Sequence, residues 1–149
     1  MTEVVTSREM EGVTAKDVWS VARRIEEYPL YMDQVQEVKM REVDGKVYGD
    51  WLVFFNGNEL RWTELAVFDD EHFQLSFVQT EGDMAEWRGS FTAKQANGIV
   101  VGEYKIEFNL GVPALEAVLH PLGAAAIRSN CSQMLEAMHI QAATMRRPG

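Results

Sequence analysis

A single cysteine, Cys131, stands among 149 residues, which excludes an intramolecular disulfide and any zinc or iron–sulfur site built on several cysteines. A reducing compartment fits that usage. No stretch approaches the roughly 18 uninterrupted apolar residues of a membrane-spanning helix. The opening Met1-Thr2-Glu3-Val4-Val5-Thr6 has no basic segment followed by an apolar one. Membrane insertion is therefore not expected, and the chain reads as cytoplasmic. Cations are the minority, 14 Lys and Arg against 23 Asp and Glu for a net charge of -9. Affinity for phosphate rests on clustered cations, so nucleic acid and anionic membrane surfaces are poor partners.

The motifs of several chemistries are missing as well. There is no G-x-S-x-G, no H-E-x-x-H, no phosphate loop and no G-x-G-x-x-G. His72, His120 and His139 are far apart in sequence and read as surface or helix-side residues, with His120 also able to face a cavity. Neither a metal nor a cofactor is expected. Cys131 lies on an apolar helix stripe and reads as a small buried hydrophobe, since a reactive thiol needs a cationic setting.

What is present is apolar and patterned. Hydrophobic residues make up 46% of the chain, enough for one domain spanning residues 1–149 with a substantial core. Residues Val4 to Glu11 predict a first strand. Thr14, with Asp17 three residues on, predicts a helix N-cap, after which Val18, Val21, Ala22 and Ile25 recur at helical spacing. Pro29 ends that helix, and one short turn follows through Met32. From Val35 onward the pattern alternates between turn residues such as Asp44-Gly45, Asn56-Gly57-Asn58 and Ala96-Asn97-Gly98. The predicted strands are Val35 to Val43, Lys46 to Phe55, Glu59 to Phe68, Phe73 to Thr80, Met84 to Lys94 and Ile99 to Leu110. With the first strand they form an antiparallel sheet of about seven, wide enough to curl under its own twist.

An apolar segment after Gly111 runs to about Thr144, with Pro121 and Gly123 predicted to kink it before the longest helix, which starts at Leu122. Its stripe of Ala124, Ile127, Cys131, Met134, Leu135 and Met138 must cover one face of the sheet. The expected fold class is α+β, a strongly curved antiparallel sheet wrapped around a long C-terminal helix, with one or two short helices after strand one. Trp51, Phe55, Phe77, Trp87, Phe91, Tyr104 and Phe108 fall in strands whose later members alternate with polar residues. Wide aromatics on a concave face either line a cavity or fill a core, and composition alone leaves both open.

The hairpin through Asn56-Gly57 decides which side chains face that cavity, because a one-residue change of register turns every partner over. A three-residue loop is the expectation, and it puts Arg61, Thr63 and Leu65 on the Trp51 face. Inward, Arg61 would offer a fork of donors for a carbonyl, enolate or carboxylate; outward, it is a solvated strand residue. Arg128 and Asn130 sit at the margin of the helix stripe, and Asp50, Glu64 and Glu103 are possible partners or bases that nothing in the sequence raises above ordinary strand carboxylates. Either Trp62 or the pair Leu52 and Phe54 is left outside, as a candidate homodimer surface.

Val18-Trp19, Ile25-Glu26-Glu27-Tyr28-Pro29, Phe55-Asn56-Gly57, Trp87-Arg88-Gly89-Ser90-Phe91 and Phe108 with Gly111-Val112-Pro113-Ala114-Leu115 follow one another in an order that closes with the helix from Arg128 to Met134. That order resembles the START-like, Bet v 1-like helix-grip superfamily (SRPBCC), and within it bacterial polyketide cyclase/aromatase and coenzyme Q-binding START proteins. The resemblance implies the helix-grip fold and a deep apolar cavity for a small lipophilic or polyketide ligand. In the aromatase/cyclases an inward arginine and hydroxyl residues assist aldol ring closure and loss of water. The hydroxyl position falls on Thr63 and the arginine position on Leu65, with Arg61 two residues earlier, while the tyrosine position after the Tyr-Pro bend falls on Val35.

The expectation is thus a polyketide cyclase-like protein of bacterial antibiotic biosynthesis. Arg61 and Thr63 would be catalytic, and Trp51, Phe55, Leu65, Phe77, Trp87 and Phe91 would shape the ligand site. Tyr104, Phe108, Ile127, Arg128, Asn130 and Met134 complete that wall. The alternative is a non-catalytic carrier, either of quinone or lipid or one that sequesters a natural product.

Overall fold

The computed structural model describes residues 1–55, 57–111 and 116–146, and for Phe55 and residues 116–120 it describes the backbone alone. Strand β1 (Thr2–Met10) is followed by α1 (Ala15–Ala22) and a short 3₁₀ helix, Ile25–Leu30. Six strands come next: β2 (Val35–Val43), β3 (Lys46–Phe55), β4 (Asn58–Asp69), β5 (Gln74–Gly82), β6 (Glu86–Ala96) and β7 (Ile99–Asn109). Helix α2 (Glu116–Arg146) closes the order. The expected helix after strand one divides in two: α1 stops at Ala22, and Pro29 is accommodated inside the 3₁₀ helix.

All seven strands pair antiparallel in the order β1-β7-β6-β5-β4-β3-β2. Tight loops explain the meander. Val43 pairs with Lys46 and Ala96 with Ile99, leaving the two-residue turns Asp44-Gly45 and Asn97-Gly98, in which all four residues have positive φ. Register shifts between Val35 and Glu37 on β2, and opposite Thr63 and Glu64 on β4, mark irregularities of the kind that bend and twist strands locally.

At the start of α1 a capping box sets the helix: Thr14 Oγ1 accepts from the Asp17 amide at 3.1 Å, and Asp17 Oδ2 accepts from the Thr14 amide at 2.8 Å. Arg146 reaches the same Asp17 carboxylate at 2.6 Å, tying the end of α2 to the start of α1.

Helix α2 is one helix through Pro121, longer toward its N-terminus than the expected start at Leu122. Its C-terminal half carries Leu135, Met138 and Ala142, all buried, onto the β1 end of the sheet. Close approach there depends on Gly102, where a Cβ would lie 2.6 Å from Met10 Cε and 3.3 Å from Leu135 Cδ2. Earlier along the helix, Ile127, Cys131 and Met134 face a hollow between α2 and the sheet.

Candidate functional site

The hollow is a cavity of about 370 Å³ between the inner face of the sheet and the N-terminal half of α2. That volume lies in the usual range for small-molecule sites. Its wall is largely aromatic, and the hairpin of β3 and β4 explains why. Phe55 pairs with Asn58, so the loop holds two residues and not three. Trp51 consequently stands opposite Trp62 and Leu52 opposite Arg61. The inner face of β4 carries Leu60, Trp62, Glu64 and Ala66, while Arg61, Thr63 and Leu65 occupy the outer face.

This register corrects the placement of both residues expected to be catalytic. The Arg61 side chain is 67% exposed, and its nearest charged partner is Glu59 at 3.9 Å. Thr63 turns outward and donates to Asp50 Oδ1 at 2.6 Å. Leu65 lies on the outer face too, half-buried in a shallow groove with Val67 and Val78. Arg128 is exposed and away from the wall. Phe91 and Phe108 are fully buried but belong to the packed core and not to the wall.

Trp51, Phe77, Trp87, Tyr104, Ile127, Asn130 and Met134 do line the cavity. The Phe55 side chain lies outside the described residues, as does that of His120. Of the two apolar sets left open by the sequence, Leu52 and Phe54 are outside, and Phe54 is exposed.

Sequence reasoning left Tyr28, Trp62 and Cys131, among other wall residues, out of the ligand site, and it weighed Glu64 as a possible partner or base without raising it above an ordinary strand carboxylate. Trp62 is central. Its ring stacks on Trp51 with centroids 5.6 Å apart and planes at 7°, and it meets Trp87 at 5.6 Å and 49°. Gly82 on β5 faces Trp62 across the register, where a Cβ would come within 2.4 Å of the Trp62 Cβ. No larger residue fits against this indole. Beyond Val78↔Arg88 the pairing of β5 with β6 ends, and Met84 and Asp83 from the connecting segment join the wall where the two strands part. Asp83 is exposed and pinned, its carboxylate accepting from the Arg61 amide at 2.8 Å.

Glu64 is the unusual residue. It is 3% exposed, and its Oε1 accepts from Trp62 Nε1 at 2.7 Å, while the second carboxyl oxygen makes no hydrogen bond to a described residue. Burial penalises the charged form and pushes its pKa up to about 8, against which the indole hydrogen bond pulls weakly. Glu64 is therefore mostly a neutral acid at neutral pH. Burial also raises Tyr28 and Tyr104 well above the usual phenol range and the Cys131 thiol up to about 12. The Tyr28 hydroxyl donates to the Ala22 carbonyl. No Lys, Arg or His stands among the described wall residues.

An antiparallel sheet curled around a C-terminal helix, with an apolar cavity beneath that helix, defines a helix-grip protein of the START-like type. Within that class the chain belongs to the family described as polyketide cyclase / dehydrase and lipid transport, whose model matches residues 12–135. No curated protein matches the sequence.

Solved structures share the fold at low identity. The protein TTHA0849 of Thermus thermophilus aligns with a TM-score of 0.87 and 20% identity over 98% of this chain and 100% of its own. The Zhui aromatase/cyclase of a Streptomyces species aligns at 0.83 and 16%, covering 98% and 96%. A START superfamily protein of Mycobacterium smegmatis aligns at 0.73 and 14%, covering 96% and 98%. Among the described residues, no helix is long and apolar enough to cross a membrane, and no cluster of His, Cys, Asp or Glu suits a metal ion.

Proposed function

We propose that this protein binds a flat, lipophilic, uncharged molecule in the cavity, of the polycyclic or poly-ketone kind, and assists its cyclisation and dehydration in the cytoplasm. The observation that carries the reading is the cavity itself: about 370 Å³ walled by Trp51, Trp62, Trp87, Tyr28 and Tyr104. Such a wall buries planar rings well and offers stacking geometry, while the lack of a described wall cation disfavours carboxylate or phosphate ligands. Membership of the cyclase family and the shared fold of the Streptomyces aromatase/cyclase support the same substrate class. Enclosing a flexible poly-ketone in such a space would favour the folded conformers that close rings.

Titrating the protein with an anthraquinone, a naphthoquinone and a fatty acid, with tryptophan fluorescence as readout, tests it. Saturable quenching by the flat quinones and none by the fatty acid is the expected result. Absence of saturable quenching by every aromatic probe would overturn the reading.

A non-catalytic carrier is the second reading. It is favoured by the outward placement of Arg61 and Thr63, which removes the arginine-assisted chemistry implied by the resemblance. A ligand retained through purification and recovered chemically unchanged would favour it.

A further inference from the structure

We propose that Glu64 is the catalytic acid–base residue of the cavity, and that its substrate class is a neutral β-hydroxy ketone whose dehydration it promotes. The inference rests on the cavity reading above and adds a residue and a reaction step to it. Three features of the geometry carry it. The carboxyl stands on the cavity wall in the middle of β4, with one oxygen anchored by Trp62 Nε1 at 2.7 Å and the other without a protein partner among the described residues. Trp62 is itself held between Trp51 and Trp87, so the anchored oxygen has a fixed position. The surrounding wall is apolar, so a ligand hydroxyl placed there has few other polar groups to meet.

The other titratable wall groups do not serve. From the 3₁₀ helix, Tyr28 keeps its proton and donates it to the Ala22 carbonyl. On β7, Tyr104 is likewise raised by burial, and on α2 the Cys131 thiol is raised to about 12. Asp83, between β5 and β6, is exposed and occupied by the Arg61 amide. Burial brings the Glu64 carboxyl to an affinity for protons near neutrality, the condition under which a group both gives and takes one.

The step balances on a single carboxyl. Its unanchored oxygen gives a proton to the β-hydroxyl as the carbon–oxygen bond breaks and water leaves. The electron pair of the α carbon–hydrogen bond becomes the new carbon–carbon double bond. The released α-proton returns to the same carboxyl, through the oxygen that Trp62 holds, and Glu64 ends neutral as it began. No oxidant, metal or second acid is consumed.

The test uses the aldol adduct of naphthaldehyde and acetone, a flat neutral β-hydroxy ketone whose dehydration product is a conjugated enone that absorbs at longer wavelength. Wild-type protein is expected to bind it, by tryptophan quenching, and to accelerate enone formation, with a rate that is level below about pH 7 and declines above about pH 8. Glu64→Gln keeps the volume, the neutrality and an acceptor for Trp62, so it should bind the probe as before and lose dehydration by about a hundredfold or more. Glu64→Asp retains a carboxyl and should restore part of the rate with the same decline at high pH, whatever the folding yield of the Gln variant.

Binding by wild type without acceleration, or equal rates in wild type and Glu64→Gln, would overturn the assignment while leaving the cavity reading intact. No quenching of wild type by the probe would overturn the assignment, and none by the quinones either would overturn both.

Discussion

The two faces of the β3–β4 hairpin carry carboxylate chemistry of opposite kinds, Asp50 on β3 opposite Thr63, and Glu64 next along β4. On the outer face, Thr63 and Arg41 meet Asp50 at 2.6 and 3.0 Å, and the Thr63 hydroxyl and then the Arg41 guanidinium hold that carboxyl below its usual range. On the inner face, Glu64 has a single indole partner among the described residues and no cation, and burial raises it to about 8. Side-chain chemistry is nearly the same in the two groups. What differs is water and the company of a hydroxyl and an arginine, and these set one carboxyl to be charged and the other to hold a proton.

Removing the ring that defines the inner face should have the largest effect. Trp62→Ala deletes the stack on Trp51 and the indole hydrogen bond to Glu64, and should lower stability by roughly 3 kcal/mol, as for other large-to-small core changes. Denaturant unfolding measures it, and a loss under about 1 kcal/mol would mean the indole is not packed as described.

Glu64 should make stability depend on pH with a definite sign. Its folded pKa of about 8 lies above the ordinary value of 4.5, so the folded state holds more protons across that interval. Stability from this group is present in full below about pH 4.5 and is lost as pH rises through about 8. Glu64→Gln should remove that loss and be the more stable protein at pH 9, by on the order of a few kcal/mol. Parallel pH curves for the two proteins would break the contrast between the faces.

The smallest effect belongs to Arg61. Its guanidinium is solvated on the outer face, so Arg61→Ala should leave quinone quenching and the unfolding midpoint at wild-type values. A clear loss of ligand affinity would place Arg61 at the cavity after all.

Most of the fold was legible because its turns are local. Asp44-Gly45 and Asn97-Gly98 are two-residue turns with positive φ throughout, a conformation that Asn, Asp and Gly adopt readily, and they punctuate the strands within a residue or two of their expected ends. Thr14 and Asp17 announced α1 in the same way.

The site was less legible, chiefly because one hairpin sets which side chains face the cavity. Phe55 pairs with Asn58, and a two-residue loop between them places Trp62 and Glu64 beside Trp51. A three-residue loop inverts the strand and promotes Arg61 and Thr63 in their stead. A second obstacle is that a carboxylate in mid-strand is nearly always at the surface, so no local pattern distinguishes the buried Glu64 from Glu103, which keeps contact with solvent. The irregular register opposite Thr63 and Glu64, and the parting of β5 from β6 beyond Val78, are long-range features with no turn motif to reveal them.

The central claim, a neutral carboxyl on an aromatic cavity wall, is tested most directly by infrared difference spectroscopy of the wild type against Glu64→Gln across a pH titration. A protonated-carboxyl carbonyl band present at pH 7, absent from the variant and titrating near pH 8, is the predicted result. A Glu64 band that vanishes near the ordinary glutamate value of 4.5 would contradict it.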